Sequence, residues 1–366
     1  MIRFVALSGF LGAGKTTTLI AAARTLQAQG HRVAVVTNDQ GTELVDTTLA
    51  RSSIDDVAEV IGGCFCCRFE DLMRVVDHLI ASGTVDTVIA EAVGSCTDLQ
   101  ATVVRPLQEY HGDKFTVAPL TTVVDPLRLR AFDRAVQRGE PESDLSYLFG
   151  RQLAESELIA VNKTDLVDAD ERAALVTTLQ ERYPGKVILP YSATSGAGLD
   201  AVLTAWQAEA AWAQDLVIDY DRYAAAEAQL AWLNQEFRLT AVADGFSPLL
   251  WGTSVLEHIS QASDEGQAEI GHAKLTIETA EGLTKLSITA AGTEPTVDRA
   301  VTVPATGGRA IVNARVACEP ELMDQIVLDA VAHADDLSGT RSEATEANSF
   351  KPGYPTPVYR LASSDI

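Results

Sequence analysis

The sequence predicts an α/β fold in which a mostly parallel sheet carries helices on both faces, followed by a smaller C-terminal α+β domain. Three observations predict it. Short apolar runs alternate with helical stretches through residues 1–200, as in chains that build parallel sheets. Several of these runs are rich in Val and Ile without polar alternation, which is typical of strands covered on both faces. The composition then changes after Leu199, which indicates a second unit.

The strands predicted for the first domain are Arg3–Leu7, Val33–Thr37, Val57–Ile61, Thr87–Glu91, Thr116–Val124, Leu158–Asn162 and Val187–Tyr191. Helical patterns lie between them, for example at Thr16–Gln29 and Arg68–Ala81. The polar segment Ala131–Glu142 holds Gly139 and Pro141, which disfavour a helix interior. It therefore predicts a surface excursion.

The second half of the chain predicts a connector, a small domain and a tail. Residues 201–243 are rich in Ala and predict two connecting helices. Further elements are predicted as strands at Phe237–Ala243, Ala268–Thr279, Leu283–Ala290 and Arg309–Ala317, a hairpin turn at Thr279–Gly282, and helices at Pro248–Ser263 and Pro320–Ala334. The segment after Asp335 is rich in Ser, Thr, Glu and Pro, which predicts an extended arm, either docked through Phe350, Tyr354 and Tyr359 or disordered. The expected boundaries are residues 1–205, 206–236, 237–336 and 337–366.

Charge and cysteine usage narrow the possible partners. Lys and Arg number 28 and Asp and Glu 51 among 366 residues, giving a formal net charge of −23. Such a chain repels phosphate backbones and anionic lipid, which argues against nucleic acid or membrane as a main partner. Three of the five Cys lie within four residues, a pattern that suits a reduced compartment and a metal or thiol site. With no early apolar leader and no apolar run near ~18 residues, the sequence predicts a cytoplasmic protein.

A phosphate-binding motif opens the chain. Residues Gly9 to Thr16 fit G-x-x-x-x-G-K-[ST], directly after a predicted strand and before a predicted helix, which is the context that this motif requires. Backbone N–H groups of such a loop surround phosphate, Lys15 would bridge the β- and γ-phosphates, and the Thr16 hydroxyl would hold Mg²⁺. The residues expected at the phosphates are Gly9, Gly12, Ala13, Gly14, Lys15, Thr16 and Thr17.

Two later motifs favour guanine as the base. Asn162-Lys163-Thr164-Asp165 fits N-K-x-D at a strand end, where the Asp165 carboxylate can accept from both N1–H and N2–H of guanine. Adenine has neither donor, so GTP is favoured over ATP. Ser192 and Ala193 begin an S-A-x-x-G-x-G-L stretch that fits a loop covering the base. An ordinary strand-end turn would explain either motif alone but not both in this order.

Two strand-end loops are expected to sense the γ-phosphate. The first begins at Asn38 and contains Asp39; the second begins at Glu91 and contains Gly94. An acidic side chain beside the phosphate loop can hold Mg²⁺ or position the attacking water, and a Gly N–H can contact the γ-phosphate. Lys15, Glu91 and Asp39 are therefore the catalytic candidates, and Thr16 and Asp39 are the Mg²⁺ candidates.

A cysteine motif lies between the two loops. Cys64, Cys66 and Cys67 follow Gly62-Gly63, and an extended segment would place Cys64 and Cys66 on one side, about 7 Å apart. Three thiolates with one open position suit Zn²⁺, Cu(I), Co²⁺ or Ni²⁺, whereas buried free thiols are the alternative. Arg68 beside them is expected to depress the thiol pKa values.

The order of these motifs resembles the CobW branch of the CobW/HypB/UreG GTPases, and the resemblance covers about residues 1–205. It implies a P-loop NTPase fold and a GTPase that handles transition metals or assists cobalamin, hydrogenase or urease maturation. The roles it implies are phosphate and Mg²⁺ binding for Lys15 and Thr16, metal transfer for Cys64, Cys66 and Cys67, switching and hydrolysis for Asp39 and Glu91, and guanine binding for Asn162, Lys163 and Asp165. The chain departs from the branch at Asp39–Thr42, where Glu-Phe-Gly-Glu is usual, and at Cys96.

The sequence therefore favours a GTP-hydrolysing metallochaperone that binds GTP/GDP, Mg²⁺ and Zn²⁺, with Co²⁺ or Ni²⁺ possible as cargo. Its expected partners are GTP, a transition metal ion and a client metalloenzyme or cofactor-synthesis protein, with a homodimer as one arrangement. A GTP-gated chaperone that loads or reactivates a corrinoid enzyme is the alternative, with the cysteines as a sensor. A small-molecule kinase and a purely structural zinc protein are the remaining classes.

Overall fold

The computed structural model divides the chain into two units. The first comprises Met1–Gln40, Asp46–Ala226 and Tyr354–Ile366, and the second Gly41–Val45 and Glu227–Gly353. No helix among the described residues is both long and apolar enough to cross a membrane. The residues that the structure describes are 1–38, 45–51, 54, 56–81, 83–138, 141–211, 215–344 and 348–362.

The first unit is built on an eight-stranded sheet whose strands all run parallel. Its order is β3-β2-β4-β1-β6-β7-β8, and β5 also pairs with β1. The predicted strand Thr116–Val124 is two strands, because the chain leaves the sheet at Ala118–Leu120. The strands are β1 Ile2–Ser8, β2 Val33–Asn38, β3 Val57–Val60, β4 Thr87–Glu91, β5 Phe115–Val117, β6 Thr121–Val124, β7 Leu158–Val161 and β8 Val187–Pro190.

Helices connect these strands. They are α1 Lys15–Ala28, α2 Val45–Arg51, α3 Phe69–Ile80, α4 Arg105–His111, α5 Pro126–Gln137, α6 Asp144–Glu155, α7 Ala169–Arg182, α8 Leu199–Ala205 and α9 Tyr220–Ala228, with a π-helical turn at Gln100–Val104 and a 3₁₀ turn at Thr164–Leu166. The surface excursion predicted at Ala131–Glu142 is wrong in its first half, which belongs to α5. Leu129 is buried on this helix, and Phe132 packs edge-on against Phe149 at 5.2 Å between ring centroids, so apolar contacts stabilise the helix there.

The sheet order determines where ligands can bind in the first unit. β1 and β4 are neighbours, but the chain continues from β1 to β2 towards one edge of the sheet and from β4 to β6 towards the other. Ligands of open α/β sheets bind at such a switch point, beyond the carboxyl ends of the strands. The loops that begin at Gly9, Asn38, Glu91 and Asn162 all leave the sheet at this edge.

The second unit is a seven-stranded antiparallel sheet of order β12-β11-β10-β13-β9-β14, with β15 also paired to β9. The hairpin predicted at Thr279–Gly282 is confirmed, since these two residues pair across β10 and β11. The strand predicted from Phe237 begins earlier, at Ala231, and part of the arm forms β14 and β15. The elements are β9 Ala231–Ala241, α10 Pro248–Glu265, β10 Ile270–Thr279, β11 Gly282–Ile288, β12 Thr296–Arg299, β13 Gly307–Val316, α11 Pro320–Ser338, β14 Thr340–Ala344 and β15 Asn348–Phe350.

Candidate functional site

The phosphate loop lies between β1 and α1 and depends on two glycines. Gly9 has φ +137° and a Cβ there would lie 2.1 Å from the Val123 carbonyl oxygen. Gly14 caps α1 with φ +93°, and its Cβ would lie 2.4 Å from Nδ2 of Asn162. Both positions therefore require Gly for backbone conformation and for space. The first turn of α1 follows at once, so this loop lies at the positive end of the helix dipole.

Lys15 and Thr16 extend polar side chains from that first turn. The buried Lys15 ammonium donates to the carbonyl oxygens of Gly9 and Phe10, at 2.7 and 3.3 Å. The Thr16 hydroxyl donates to the Glu91 carboxylate at 2.9 Å, which joins the phosphate loop to the end of β4. A hydroxyl and a carboxylate oxygen side by side are hard donors of the kind that Mg²⁺ takes, so this pair fits the ion. Thr17 follows on the same turn and is half-buried.

Asn162 and Lys163, at the end of β7, brace the phosphate loop. The Asn162 amide donates to the Ala13 carbonyl at 3.0 Å and accepts from the Ala193 N–H at 3.0 Å. The Lys163 ammonium donates to the Gly12 carbonyl at 2.8 Å from a residue with φ 58°, a left-handed conformation. The structure therefore brings the two motifs predicted to read the base together beside the loop that carries the phosphate motif.

Asp165 and Ser192 lie on the loops that follow β7 and β8. Asp165 sits exposed in a 3₁₀ turn, where a carboxylate is open to a base. The buried Ser192 hydroxyl accepts from the Ser195 N–H at 3.1 Å and so shapes its own loop.

The loops that begin at Asn38 and Glu91 are here called the first and second switch loops. The second switch loop approaches the phosphate loop closely at Gly94. A Cβ at Gly94 would lie 2.5 Å from the Leu11 side chain and 3.1 Å from its backbone nitrogen. Asp39, predicted for Mg²⁺ and catalysis, lies outside the described residues, so its predicted role stays a prediction.

The three cysteines lie on a tight turn between β3 and α3. The Cys64 and Cys66 sulfurs are 2.7 Å apart, and Cys67 Sγ lies 3.4 and 3.7 Å from them. All are free thiols, and their sulfurs lie within 4.8 Å of one another. The Cys67 and Arg68 N–H groups both donate to the Cys64 carbonyl, which closes the turn and brings the predicted third sulfur round to the other two.

Asn38, the last residue of β2, holds this turn in place. Its amide donates to the carbonyls of Val60 and Gly63 at 2.9 and 2.8 Å, and its oxygen accepts from the Phe65 N–H at 3.1 Å. Gly62 and Gly63 both have positive φ, which permits the turn. The first switch loop therefore begins at the residue that positions the cysteines, a role that the sequence did not reveal.

The thiols perturb one another's protonation. Hydrogen bonds from Cys66, then Cys67 and Cys96, hold the pKa of Cys64 well below its usual range. The hydrogen bond with Cys64 raises the pKa of Cys66 and, with burial, raises that of Cys67 to about 11. The prediction that Arg68 depresses the thiol pKa values is wrong for Cys66 and Cys67, whose pKa values are raised, and the Arg68 guanidinium pairs with Asp71.

The loop after β4 carries a fourth cysteine. Cys96 is fully buried, and it helps to lower the pKa of Cys64 and to raise the pKa of Cys66. The buried Gln152 amide donates to the carbonyls of Gly94 and Cys96, both at 2.9 Å, and fixes this loop.

The same loop is held further along by Glu155 on α6. Glu155 accepts from the Thr97 hydroxyl and the Gln100 N–H at 3.1 and 3.2 Å. Burial, with the Asp98 charge in second place, raises the pKa of Glu155 to about 8. Neither Gln152 nor Glu155 belongs to a motif, and a lone polar residue in an amphipathic helix pattern gives no signal of such a role.

A C-terminal segment, residues 356–361, contacts the cysteine turn. The Thr356 N–H donates to Cys67 Sγ at 3.2 Å, and the Val358 N–H donates to the Cys66 carbonyl at 2.9 Å. Tyr359 donates its hydroxyl to Glu70 at 2.7 Å.

The segment is also anchored beyond Tyr359. Arg360 pairs with the buried Asp98 at 2.7 Å, and the Leu361 N–H donates to the Ala101 carbonyl at 2.9 Å. Arg105 donates to the Leu361 carbonyl at 2.7 Å. The sequence anticipated docking through Tyr359, but no motif marks Thr356 or Arg360.

Residues in the first half of the chain match a known protein family. Residues 3–189 match the family profile described as CobW/HypB/UreG, nucleotide-binding domain. A protein of Pseudomonas aeruginosa named zinc chaperone CobW is 32% identical over 207 residues, 50% of this chain and 54% of that protein. A second zinc chaperone CobW, from Sinorhizobium sp, is 28% identical over 202 residues, 49% of this chain and 56% of that protein. The chain thus spans about half the length of the curated relatives it matches.

A solved structure resembles the chain over a longer stretch. The crystal structure of Zn(II)-bound YjiA GTPase from E. coli aligns with 90% of this chain and 98% of its own, at 14% identity and a TM-score of 0.39. The match to the family profile ends before Glu227–Gly353, the longer segment of the second unit.

Proposed function

Because the chain belongs to the CobW/HypB/UreG family, we propose that it is a GTP-hydrolysing metallochaperone that carries a transition metal on Cys64, Cys66 and Cys67. Zinc is the preferred cargo, since thiolate sulfur and a four-coordinate site suit it and two relatives are named zinc chaperones. Cobalt and nickel are the next candidates. The recipient would be a client metalloenzyme or a cofactor-synthesis protein in the cytoplasm.

The observation that carries the proposal is the sulfur cluster within 4.8 Å, on a turn held by the strand that leads into the first switch loop. Three sulfurs packed together form a soft donor set. Asn38 connects that donor set with a loop expected at the γ-phosphate, so a movement of either would be transmitted to the other.

The nucleotide chemistry is assigned to residues of the first unit. Lys15, now bonded to loop carbonyls, would exchange them for phosphate oxygens, and Asp165 would accept from guanine. Thr16 and Glu91 would hold Mg²⁺, which supplies charge neutralisation at the phosphates. Glu91 would also orient the attacking water, and the Gly94 N–H would contact the γ-phosphate.

Hydrolysis would then change metal affinity. A thiolate site has strict geometric demands, so a shift of a switch loop should alter the metal affinity by ~1–3 kcal/mol, the usual size of a coupling free energy. Bound metal must change GTP affinity by the same factor, because coupling is reciprocal. Release of phosphate would thereby release the ion to a client.

The test is a competition titration of Zn²⁺ against a chromophoric chelator, with the protein in GDP and in a non-hydrolysable GTP analogue. We expect affinities that differ about 5- to 150-fold between the two forms. Cys66→Ala should bind Zn²⁺ far more weakly than wild type. Cys318→Ser, in the second unit, should bind it as tightly as wild type. Equal affinities in both forms, with Cys66→Ala equal to wild type, would refute the proposal.

A GTP-gated chaperone whose cysteines act as a sensor is the other candidate. It predicts nucleotide-dependent capture of a client enzyme without metal transfer. Incubating the zinc-loaded chain and an apo-client with GTP, then measuring zinc in each after separation, distinguishes the two functions.

A further inference from the structure

We infer that residues 356–361, here called the strap, couple the second switch loop to Cys67, with Arg360 as the positioning residue. The inference rests on the proposed function. The Thr356 N–H donates to Cys67 Sγ at 3.2 Å, and the Arg360 guanidinium donates to the Asp98 carboxylate at 2.7 Å. The strap therefore joins a sulfur of the metal site to the loop that is expected to contact the γ-phosphate.

The beginning of the strap bonds the cysteine turn. The Val358 N–H donates to the Cys66 carbonyl at 2.9 Å, two residues after the bond from Thr356 to sulfur. Cys64 and Cys66 are buried whereas Cys67 is only half-buried, so Cys67 is the ligand that a client thiol can reach. The strap lies against that sulfur, and its position therefore affects whether Cys67 is open to bind or release an ion.

The end of the strap bonds Asp98 in the second switch loop. The Asp98 side chain is 4% exposed and accepts from the Arg360 guanidinium and, at 2.8 Å, from the Tyr220 hydroxyl. Asp98 has φ 67°, a left-handed conformation that a non-Gly residue keeps only where its contacts enforce it. Removing one partner of a buried ion pair is strongly unfavourable, so Arg360 should follow Asp98 when the loop moves.

The second switch loop connects Asp98 with the expected nucleotide. The loop begins at Glu91, which accepts from the Thr16 hydroxyl at 2.9 Å. It then passes Gly94, where a Cβ would lie 2.5 Å from the Leu11 side chain of the phosphate loop. A γ-phosphate that contacts Gly94 would therefore act on the same short loop that holds Asp98.

The remaining strap residues contact elements on both sides. Tyr359 packs edge-on against Phe69 at 5.3 Å between ring centroids and donates its hydroxyl to Glu70 at 2.7 Å, at the start of α3. The Leu361 N–H donates to the Ala101 carbonyl at 2.9 Å, just beyond the second switch loop. A movement of that loop relative to α3 would therefore strain or break the bonds at the cysteine turn.

The strap adds a second connection between nucleotide and metal. Asn38 connects the cysteine turn with the first switch loop, whereas the strap connects Cys67 with the second. Arg360 is not among the residues proposed to bind GTP or the metal ion. Its loss should therefore weaken the coupling between the two ligands and leave both binding sites in place.

The experiment measures Zn²⁺ affinity of the full chain with GDP and with a non-hydrolysable GTP analogue. Wild type should give a ratio of the two affinities of about 5 to 150. Arg360→Met should lower that ratio about 2- to 30-fold, the range over which residues along a coupling route act. Arg360→Lys, which keeps the cation, should retain most of the ratio. A merely structural loss would weaken zinc binding equally in both forms and leave the ratio unchanged.

Lys114→Met is the matched control. The Lys114 side chain is 42% exposed against 41% for Arg360, and it also pairs with a carboxylate of the first unit, that of Asp77, at 3.2 Å. Its ratio should equal that of wild type. Asp98→Asn should lower the ratio as Arg360→Met does. The double variant should be no lower than the more affected single variant, since both substitutions remove one contact.

A second readout needs no metal. In the zinc-free chain, the rate at which a small maleimide labels Cys67, followed by mass spectrometry, reports how well the strap covers this sulfur. Arg360→Met should raise that rate at least about 3-fold, because a strap that has lost its ion pair opens more often. Lys114→Met should be labelled at the wild-type rate.

Two outcomes would overturn the role of the strap and leave the proposed function standing. One is an Arg360→Met ratio equal to that of a wild type that does show coupling. The other is an unchanged labelling rate for Cys67. A wild-type ratio of one would instead overturn the proposed function, on which the inference rests.

Discussion

In the nucleotide region, formed by residues 9–17, Glu91, Asn162–Asp165 and Ser192–Ala193, side chains hold the backbone of the phosphate loop. In the cysteine region, formed by residues 62–68, 94–98 and 356–361 (the strap), side chains also hold the backbone, but a backbone N–H bonds a reactive sulfur as well. Asn162 and Lys163 donate to loop carbonyls, whereas the Thr356 N–H donates to Cys67 Sγ.

The difference separates two ways of building a site. Parallel strands bring their carboxyl ends to one edge of the sheet, so residues just after these strands lie close together without additional contacts. The cysteine region instead needs Gln152, Glu155 and the strap, which approach from helix α6 and from the far end of the described chain. We therefore expect the two regions to respond separately to substitution.

The largest expected effect is in the nucleotide region. Lys15→Ala should lower kcat/KM for GTP hydrolysis at least ~10³-fold, or about 4 kcal/mol, and remove most nucleotide affinity, because the phosphates lose their cation. Glu91→Gln should slow turnover and spare binding. Steady-state kinetics and calorimetry measure both. If Lys15→Ala also lost zinc affinity without nucleotide, the two regions would not be separable.

The cysteine region should show a pH dependence that comes from Glu155. Its folded pKa of about 8 lies above the ordinary 4.5, so the folded chain keeps a proton that the unfolded chain releases. The contribution of Glu155 to the free energy of unfolding is therefore greatest below pH 4.5 and is lost as the pH rises towards 8. Between pH 5.5 and 9 wild type should lose about 3 kcal/mol relative to Glu155→Gln.

Urea unfolding of both chains at the two pH values measures this difference. Glu181→Gln is the control, since Glu181 is an exposed acid on α7. A wild-type–variant gap that does not change with pH would show that the Glu155 carboxyl is not buried and protonated.

Base recognition should give the next largest effect. Asp165→Asn should weaken GTP binding by ~2–4 kcal/mol, because a charge-assisted pair of hydrogen bonds is lost. Calorimetric titration with GTP and ATP measures it, and Asp170→Asn, an exposed acid on α7, is the control. Wild type binding ATP as tightly as GTP would contradict the guanine assignment.

The smallest expected effect distinguishes the cost of a left-handed backbone from the cost of a steric clash in the phosphate loop. Gly14 and Gly30 have φ values of +93° and +95°, but a Cβ at Gly30 meets nothing within 4 Å. Ala at either position should cost about 1–2 kcal/mol of stability for the left-handed conformation. Only Gly14→Ala should also displace Asn162 and weaken GTP binding, as thermal unfolding with and without GTP would show. Equal loss of GTP affinity in both would show that Asn162 does not brace the loop.

Much of the first unit could be predicted from the sequence, because Val- and Ile-rich runs and strand-end motifs follow local rules. The predicted strands at Val33, Thr87 and Leu158 begin where β2, β4 and β7 begin. The second half of α5 was missed, since Phe132 lies among polar residues and its apolar contact with Phe149 is tertiary.

The cysteine region was predicted only in part. The motif gave Cys64, Cys66 and Cys67, but the Cys96 contact depends on how β4 is placed beside β1 and β2. The Arg68 prediction failed because Asp71, one helical turn on, takes the guanidinium. Tertiary contacts of this kind have no local pattern, so no spacing rule could reveal them.

The strap's contact with Cys67 joins residues 289 positions apart. On the ribosome, the cysteine turn emerges long before Thr356, because Glu227–Gly353 of the second unit is synthesised between them. During that interval the nascent first unit can fold with its thiols uncovered, and closure over so long a separation is slow compared with local structure. The time when the cysteines are most open to their first metal ion is therefore before synthesis reaches the strap.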